Sequence, residues 1–273
     1  YLKPEDFSDF DVVVVDEASM LILPQIAYAA SLSKDKVIFA GDFMQLPPIY
    51  NTDKKHPNID VGTAAVILPW HDPLRVAEQA AVLDMLSNGR LRLGFGRGLA
   101  KREFDTFRLN MDESRERFDE AAPMIVDALE TGFIEGDGKF YKQPRTEIRP
   151  RPQHSFDGRI YAVASSEESV MSAAKLGAHV VMFADRPWEM RMPGIERARS
   201  LHREFHGTEA PNVMLTEFVI CNTDLARAEE DARQYQGKFV ESNFYHYEFL
   251  GDHFQSVKGY DSYQQKAEIA RST

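Results

Sequence analysis

Short apolar runs alternate with helical patterns along most of the chain. Residues 11–16, DVVVVD, form a continuous β-branched run between two acids, which is typical of a parallel strand covered on both faces. A helical pattern at 24–31 and a second apolar run at 36–40, KVIFA, follow it. Because a parallel pair needs a crossover, these three segments predict a βαβ unit at the start of the chain.

The next segment, residues 45–58, reads QLPPIYNTDKKHPN and has no apolar period, which indicates a linker. Beyond it, strands and helices alternate. The predicted strands lie at 61–68, 91–96, 159–164, 179–184 and 213–221, and the predicted helices at 72–88, 112–130, 165–177, 195–205 and 225–249. Residues 132–158 are rich in glycine and proline, so we expect irregular structure there.

Capping residues mark the ends of two of these helices. Asp72 is placed as an N-cap before Pro73, a residue that is favoured in the first helical turn. Ser165 and Glu168 have the spacing of a capping box, and Gly177 stands where a left-handed C-cap is expected. Repeated strand–helix units with short connections predict an α/β fold with a parallel sheet, either open or closed into a barrel.

Composition narrows the possible functions. The chain has 273 residues and a net charge of −11, so its surface repels phosphate backbones and nucleic-acid binding is not expected. Cys221 is the single cysteine, which excludes an intrachain disulfide and a cysteine-rich metal site. No apolar run reaches the length of about eighteen residues that a membrane span needs. We therefore expect a cytoplasmic protein with no membrane partner and no metal.

Two N-terminal segments resemble motifs II and III of superfamily 1 DNA or RNA helicases. They are VVVVDEAS at 12–19 and GDFMQLPP at 41–48. The resemblance implies that Asp16 holds Mg²⁺, Glu17 orients an attacking water and Gln45 senses a γ-phosphate. However, the sequence contains no G-x-x-x-x-G-K-[ST] loop to cradle a nucleotide, so ATP hydrolysis is not expected. The alternative interpretation is that the acids are solvated residues at strand ends.

A much longer stretch resembles another family. Residues 61–115 read VGTAAVILPWHDPLRVAEQAAVLDMLSNGRLRLGFGRGLAKREFDTFRLNMDESR, and residues 160–177 read IYAVASSEESVMSAAKLG. Both are similar to bacterial luciferase α subunits and related flavin-dependent monooxygenases. The similarity extends over about residues 59–273 and implies a TIM-barrel-like (β/α)8 fold, either incomplete or with a replaced N-terminal βαβ unit. The chain then resembles a chimera of a helicase-like βαβ segment, 1–57, and a luciferase-like flavin-binding barrel portion, 58–273.

The N-terminal βαβ unit has as many strands as the family places before its third strand. One hypothesis is therefore that this unit fills the gap in the barrel. Asp16, Glu17 and Asp42 would then lie near the carboxyl ends of the strands, where active sites of such barrels are found.

The residues themselves are compatible with a phosphate site. Arg97 follows a predicted strand ending in Gly94-Phe95-Gly96, and inward-facing glycines would leave room for a flat ring system. A helix begins after the next strand, and its free N–H groups and dipole favour an anion. The serines at its start are Ser165, Ser166 and Ser169. Two alternatives stay open: Arg97 pairs with a surface acid, and the serines form an ordinary N-cap.

The resemblance implies specific cofactor-binding residues. Arg97, Leu99, Ser166 and Ser169 match positions around the flavin phosphate. Ser165 stands in the place of a glutamate, and Gly96 in the place of a reactive cysteine. A non-prolyl cis peptide bond of the family maps to Ala64-Ala65. No catalytic residue is assigned, and His71 is interpreted as a solvated loop residue.

The activity implied by the resemblance is that of an FMN-dependent monooxygenase, which uses reduced FMN and O₂ to oxygenate a small organic substrate. A flavin reductase is the expected supplier of the reduced cofactor, deazaflavin F420 is the alternative cofactor, and a dimer is the alternative to a monomer. Two other hypotheses stay open. One is a truncated or fused chain that keeps the flavin-site fold with little activity, and the other is an ATP-dependent helicase fragment.

Overall fold

The computed structural model describes residues 10–15, 33–39, 60–183, 188–216, 220–260 and 263. Strands β1 (Phe10–Val15) and β2 (Ser33–Phe39) pair in parallel, as the first βαβ pattern predicts. The helix predicted at 24–31 and the linker predicted at 45–58 lie outside the described residues. Within the described residues, β1 and β2 form a sheet of their own. The hypothesis that this unit completes the barrel is therefore wrong.

The remaining strands build a curled parallel sheet and one hairpin. They are β3 (Val61–Gly62), β4 (Val66–Ile67), β5 (Leu91–Gly96), β6 (Phe133–Asp137), β7 (Lys142–Glu147), β8 (Ile160–Val163), β9 (His179–Phe183) and β10 (Met214–Thr216). In the described part of the chain the sheet order is β10-β9-β8-β5-β3, with β4 also paired to β5, and all of these pairs are parallel. The architecture is that of an incomplete (β/α)8 barrel, as predicted.

Helices follow the strands at the positions that the hydrophobic pattern predicts. They are α1 (Pro73–Ser87), α2 (Lys101–Thr106), α3 (Ser114–Thr131), α4 (Glu167–Lys175), α5 (Trp188–His206) and α6 (Leu225–His246). Asp72 caps α1 by accepting hydrogen bonds from the N–H groups of Leu74 and Arg75. The short helix α2 is not anticipated by the pattern, and α5 is longer than predicted. None of the helices that the structure describes is both long and apolar enough to cross a membrane.

Two local predictions are wrong. The capping box of α4 is made by Ser166 and Ser169 rather than by Ser165 and Glu168, because the helix begins at position 167 and its N-cap is Ser166. The segment 132–158 is not irregular throughout, since β6 and β7 pair there as an antiparallel hairpin. The carboxylate of Glu120 on α3 holds the hairpin turn by accepting from backbone N–H groups of the turn, a long-range contact that composition does not reveal.

The strand predicted at 61–68 consists of two short pieces. β3 and β4 are separated by residues 63–65, and the Ala64-Ala65 peptide bond is cis, as the resemblance implies. The Thr63 hydroxyl accepts from the Gly94 N–H at 2.7 Å and donates to the Gly94 carbonyl at 3.0 Å. A Cβ at Gly94 would lie 2.2 Å from the Thr63 carbonyl oxygen. Gly94 is therefore needed for close backbone approach, and the expectation that it leaves room for a ring is wrong.

We expect Gly94→Ala to lower the free energy of unfolding by about 2–3 kcal/mol, because the added methyl group collides with backbone that cannot move freely. Chemical denaturation measures this change. The matched control is Gly237→Ala in α6, where an added Cβ meets no atom within 4 Å. The free energy of unfolding of that variant should rise by about 0.5–1 kcal/mol, because alanine has a higher helix propensity than glycine. Equal stability of both variants would contradict the close approach.

Most of the core lies between the sheet and the helices. Leu91, Leu93 and Phe95 of β5 are buried on one face, as strand alternation predicts, and pack in this core. A second cluster consists of buried Phe104, Met111, Phe254 and Tyr260, with partly buried Trp70, Leu99, Leu109, Phe249, Val257 and Tyr263 around it. This aromatic cluster packs the C-terminal segment against the loop that follows β5.

A buried ion pair fixes the amino-terminal ends of β5 and β8. Asp84 on α1 is 2% exposed and accepts from Arg159 Nη1 at 2.5 Å and contacts His154 Nδ1 at 3.0 Å. The Arg159 guanidinium also donates to the carbonyl oxygens of Gly89 and Leu91. The pair thus joins α1, the turn before β5 and the start of β8.

Candidate anion-binding site

Arg97 follows β5 directly at the carboxyl end of the sheet. Its Nη2 atom donates to the Gly259 carbonyl oxygen at 2.8 Å, and its guanidinium lies 3.8 Å from the centroid of the Tyr260 ring. The Nη1 atom is buried and has no hydrogen-bond partner among the described residues. The alternative that Arg97 pairs with a surface acid is therefore wrong. Its fixed contacts leave one nitrogen without a partner.

Arg115 is a second cation of this site, and sequence reasoning missed it. It lies in the first turn of α3, and its Nε and Nη2 atoms are buried without a hydrogen-bond partner in the described part of the chain. Its Nη1 atom donates to the Ser172 hydroxyl at 3.4 Å. Burial lowers the pKa of Arg115, and the positive charge of Arg97 lowers it further. The two guanidinium groups are therefore close enough to repel each other.

A signal for Arg115 was present in the sequence. A cation in the first turn of a helix opposes the helix dipole, so it is out of place unless an anion or an acid compensates for it. Asp119 and Glu168 are two such acids, because the negative charge of each raises the pKa of Arg115. These acids only partly offset the two arginines, because buried N–H donors of both residues have no hydrogen-bond partner in the part of the chain that the structure describes.

The serines at the start of α4 bond mainly to one another. The Ser169 hydroxyl accepts from the N–H groups of Ser165 and Ser166 at 3.0 and 2.9 Å, and the two hydroxyls of Ser166 and Ser169 lie 3.0 Å apart. The alternative of an ordinary N-cap therefore describes their hydrogen bonds. Ser165 is exposed, and its hydroxyl lies 3.4 Å from that of Tyr263.

The structure brings the start of α4 and Arg97 to the same place. A Cβ added at Gly259 would lie 2.9 Å from Arg97 Nη1 and 3.4 Å from Glu168 Oε2, so both side chains border Gly259. Glu168 belongs to the first turn of α4, and Ser172 one turn later contacts Arg115. The segments that follow β5 and β8 thus lie close together, and the binding of a phosphate there stays a prediction.

The donors of this site fit a phosphate group. Three guanidinium nitrogens are buried without partners among the described residues, one on Arg97 and two on Arg115. An unsatisfied buried donor is costly, and a phosphate oxygen is the acceptor that a guanidinium binds most strongly. The hydroxyls of Ser166 and Ser169 are engaged in the N-cap of α4, where the Ser169 hydroxyl donates to the Ser166 carbonyl oxygen at 2.8 Å, and Glu168 adds a negative charge beside them.

Other predicted site residues lie near the same strand ends. A Cβ at Gly96 would lie 3.4 Å from the Ala65 Cβ and 2.7 Å from Ile67 Cδ1, so a side chain borders this glycine rather than an open space. Leu99 is partly buried and packs against the aromatic cluster. His71 is exposed after the turn that follows β4, but desolvation of its ring lowers its pKa. The interpretation of His71 as a solvated loop residue therefore stays a prediction.

A family model described as "Luciferase-like monooxygenase" matches residues 55–271, which is most of the chain. This chain belongs to the luciferase-like monooxygenase family. A second model, described as an AAA domain, matches residues 3–53, where the helicase-like motifs stand. The residues with assigned helicase roles, Asp16, Glu17 and Gln45, lie outside the described residues.

Individual proteins and solved structures are also similar to this chain. The beta chain of alkanal monooxygenase from Aliivibrio fischeri is 29% identical over 198 residues, covering 71% of this chain and 58% of that protein. The structure of the monooxygenase RslO1 from Streptomyces bottropensis has a TM-score of 0.59 at 27% identity, covering 67% and 55%. The coenzyme F420-dependent tetrahydromethanopterin reductase from Methanopyrus kandleri has a TM-score of 0.58 at 16% identity, covering 94% and 82%.

The curated relatives are longer than the region that matches. This chain spans little more than half the length of those relatives, 58% of the Aliivibrio fischeri protein and 56% of an alkanal monooxygenase beta chain from Photorhabdus laumondii. The described sheet has six strands where an eight-stranded barrel is expected.

Proposed function

We propose that this protein is a flavin-dependent monooxygenase that holds the phosphate of reduced FMN between Arg97 and Arg115. The observation that carries the proposal is a pair of guanidinium groups close enough for Arg97 to lower the pKa of Arg115. Together they have three buried nitrogens without a hydrogen-bond partner among the described residues. Such a pair is unfavourable by itself, because like charges repel and buried donors lack acceptors. A dianionic phosphate removes both penalties at once.

The chain's own residues would bind and orient the cofactor. Arg97, Arg115, Ser166 and Ser169 would hold the phosphate, and the cofactor's ring system would lie toward β4 and β5 near Ala64-Ala65. The bound flavin would supply the reaction with O₂ that oxygenates a small organic substrate. The apolar residues of the aromatic cluster would limit the access of water at this end of the sheet.

F420 is the second candidate cofactor. The F420-dependent reductase from Methanopyrus kandleri shares the fold over nearly the whole of this chain. FMN is preferred because the quoted sequence motifs resemble those of FMN-using monooxygenases, and the relatives named as monooxygenases match at higher identity. Titration of the protein with FMN and with F420 shows which of the two cofactors binds more tightly.

Several broader features belong to the same proposal. We expect residues 1–57 and 58–273 to be separate units, a flavin reductase to supply the reduced cofactor, and the protein to act in the cytoplasm. A dimer is supported by the designation of the Aliivibrio fischeri relative as a beta chain. A chain with the flavin-site fold but little activity is the second candidate, since this chain spans 58% of that relative.

The test is to titrate the protein with FMN and with riboflavin while following flavin fluorescence. We expect FMN to bind at least about 100-fold more tightly, because only FMN offers a phosphate to the two arginines. Equal affinity for both would remove the proposed site. Oxygen consumption with NADH and a flavin reductase then separates an active monooxygenase from a chain that binds flavin without turnover. ATPase activity, which we do not expect, would favour the helicase fragment.

A further inference from the structure

A C-terminal strap, residues 253–260, crosses the candidate site. It begins with a 3-10 turn at His253–Gln255 and ends at Tyr260, which is fully buried. Its Lys258 N–H donates to the Asp112 carboxylate at 2.8 Å, and the Lys258 ammonium lies 3.1 Å from a Glu116 oxygen. Asp112 lies just before α3 and Glu116 lies in its first turn, so the strap is fixed to the segment that carries Arg115.

Tyr260 connects the strap to both arginine-bearing segments. Its ring lies under the Arg97 guanidinium at 3.8 Å, and its hydroxyl donates to the Gly98 carbonyl oxygen at 2.8 Å. The Ser114 hydroxyl lies 3.1 Å from the Tyr260 hydroxyl. Gly98 follows Arg97 and Ser114 precedes Arg115, so one side chain contacts the immediate neighbours of both cations. Burial raises the pKa of Tyr260, which keeps this hydroxyl protonated at neutral pH.

Gly259 further restricts the guanidinium group of Arg97. Its carbonyl oxygen holds Arg97 Nη2, and its backbone has a φ of +76° that residues other than glycine rarely adopt. Because one terminal nitrogen is held and the guanidinium carbon lies 3.8 Å from the centroid of the Tyr260 ring, the position of the Nη1 atom is restricted. This is the nitrogen that has no partner within the described residues.

We infer that Tyr260 is a positioning residue for phosphate recognition: it holds Arg97 and the first turn of α3 so that the two guanidinium groups present their free nitrogens to one anion. The inference rests on the proposed function, since it assigns to the strap a share in the affinity for that phosphate. Tyr260 itself need not touch the phosphate. Tyr260 restricts the Arg97 side chain before the anion binds. Less conformational entropy of that side chain is then lost on binding.

The experiment compares Tyr260→Leu and Tyr260→Phe with the parent protein. The measured quantity is the ratio of the riboflavin and FMN dissociation constants, which isolates the contribution of the phosphate. We expect Tyr260→Leu to lower this ratio about 10-fold through loss of the cation–π contact. Tyr260→Phe keeps the ring and loses two hydroxyl contacts, so it should lower the ratio about 3-fold. Riboflavin affinity should change less than about 2-fold in both.

A second readout does not depend on flavin. Phenylglyoxal modifies accessible arginines, and mass spectrometry of peptides gives the modification rate of Arg97 relative to Arg92, which is partly exposed on β5, the strand that Arg97 follows. We expect the relative rate at Arg97 to rise several-fold in Tyr260→Leu, because the ring that covers its guanidinium is gone. If the parent protein binds FMN and riboflavin equally, the proposed function fails, while this rate still tests whether Tyr260 holds Arg97.

The matched control is Tyr245→Leu. Tyr245 lies 4.7 Å from the Arg102 guanidinium and is exposed, so the same substitution removes a tyrosine–arginine contact outside the site. It should change neither the dissociation-constant ratio nor the reactivity of Arg97. If Tyr260→Leu fails to fold by circular dichroism, Tyr260→Phe decides the question. Unchanged ratios in a folded Tyr260 variant, or equal losses for FMN and riboflavin, would overturn the inference.

Discussion

Replacing Arg97 by leucine is expected to weaken FMN binding by about 100-fold to 1000-fold, because it removes a charge-assisted donor pair and leaves Arg115 to hold the phosphate alone. Riboflavin binding should change less than about 3-fold, since riboflavin has no phosphate. Fluorescence titration of the folded variant measures both constants. Arg97→Lys should recover only part of the loss, because an ammonium cannot stack on Tyr260 and donate in a planar fork at the same time.

Arg92→Leu is the matched control for this experiment. Arg92 lies on β5, the strand that Arg97 follows, but its Nε donates to the Asp60 carboxylate at 2.9 Å, away from the candidate site. FMN affinity should therefore change less than about 2-fold. Arg115→Leu should weaken FMN binding by a factor similar to that of Arg97→Leu. The double variant should weaken it by less than the product of the two factors, because both residues act on one anion. Full additivity would argue against a shared phosphate.

Asp84→Asn is expected to lower the free energy of unfolding by about 3–5 kcal/mol, the second large effect, because it leaves the Arg159 guanidinium buried without its counter-charge. His154 loses its carboxylate partner in the same variant. Urea denaturation of the whole chain measures the change. FMN affinity of the remaining folded protein should be preserved, because the pair lies at the amino-terminal ends of the strands.

Asp60→Asn is the control variant for Asp84→Asn. It breaks the exposed Arg92–Asp60 pair, with side chains 35% and 47% exposed, so it should cost less than about 1 kcal/mol. The contrast between the two variants tests burial rather than the mere presence of an ion pair. If Asp84→Asn lowers the free energy of unfolding no more than Asp60→Asn does, the role given to the Asp84–Arg159 pair is contradicted.

Local patterns in the sequence determined much of the secondary structure. Helix α1 begins after Asp72 and ends at a left-handed Asn88, and β5 spans the predicted residues, because caps and strand alternation depend on close neighbours in sequence. The error at α4 has the same origin. Several serines and acids in succession at 165–169 give two overlapping capping patterns, and the backbone after β8 selects the later one.

By itself, the sequence determined the alternation of strands and helices, the resemblance that points to Arg97, Ser166 and Ser169, and the position of the cis bond at Ala64-Ala65. Only the tertiary structure decided that Arg97 meets Gly259, which is 162 residues away, and the adjacent Tyr260, and that Arg97 is close enough to lower the pKa of Arg115. The physical reason is that hydrophobic periodicity and capping are short-range, whereas the position of a charge next to another charge depends on how separate strand ends and a distant strap pack together.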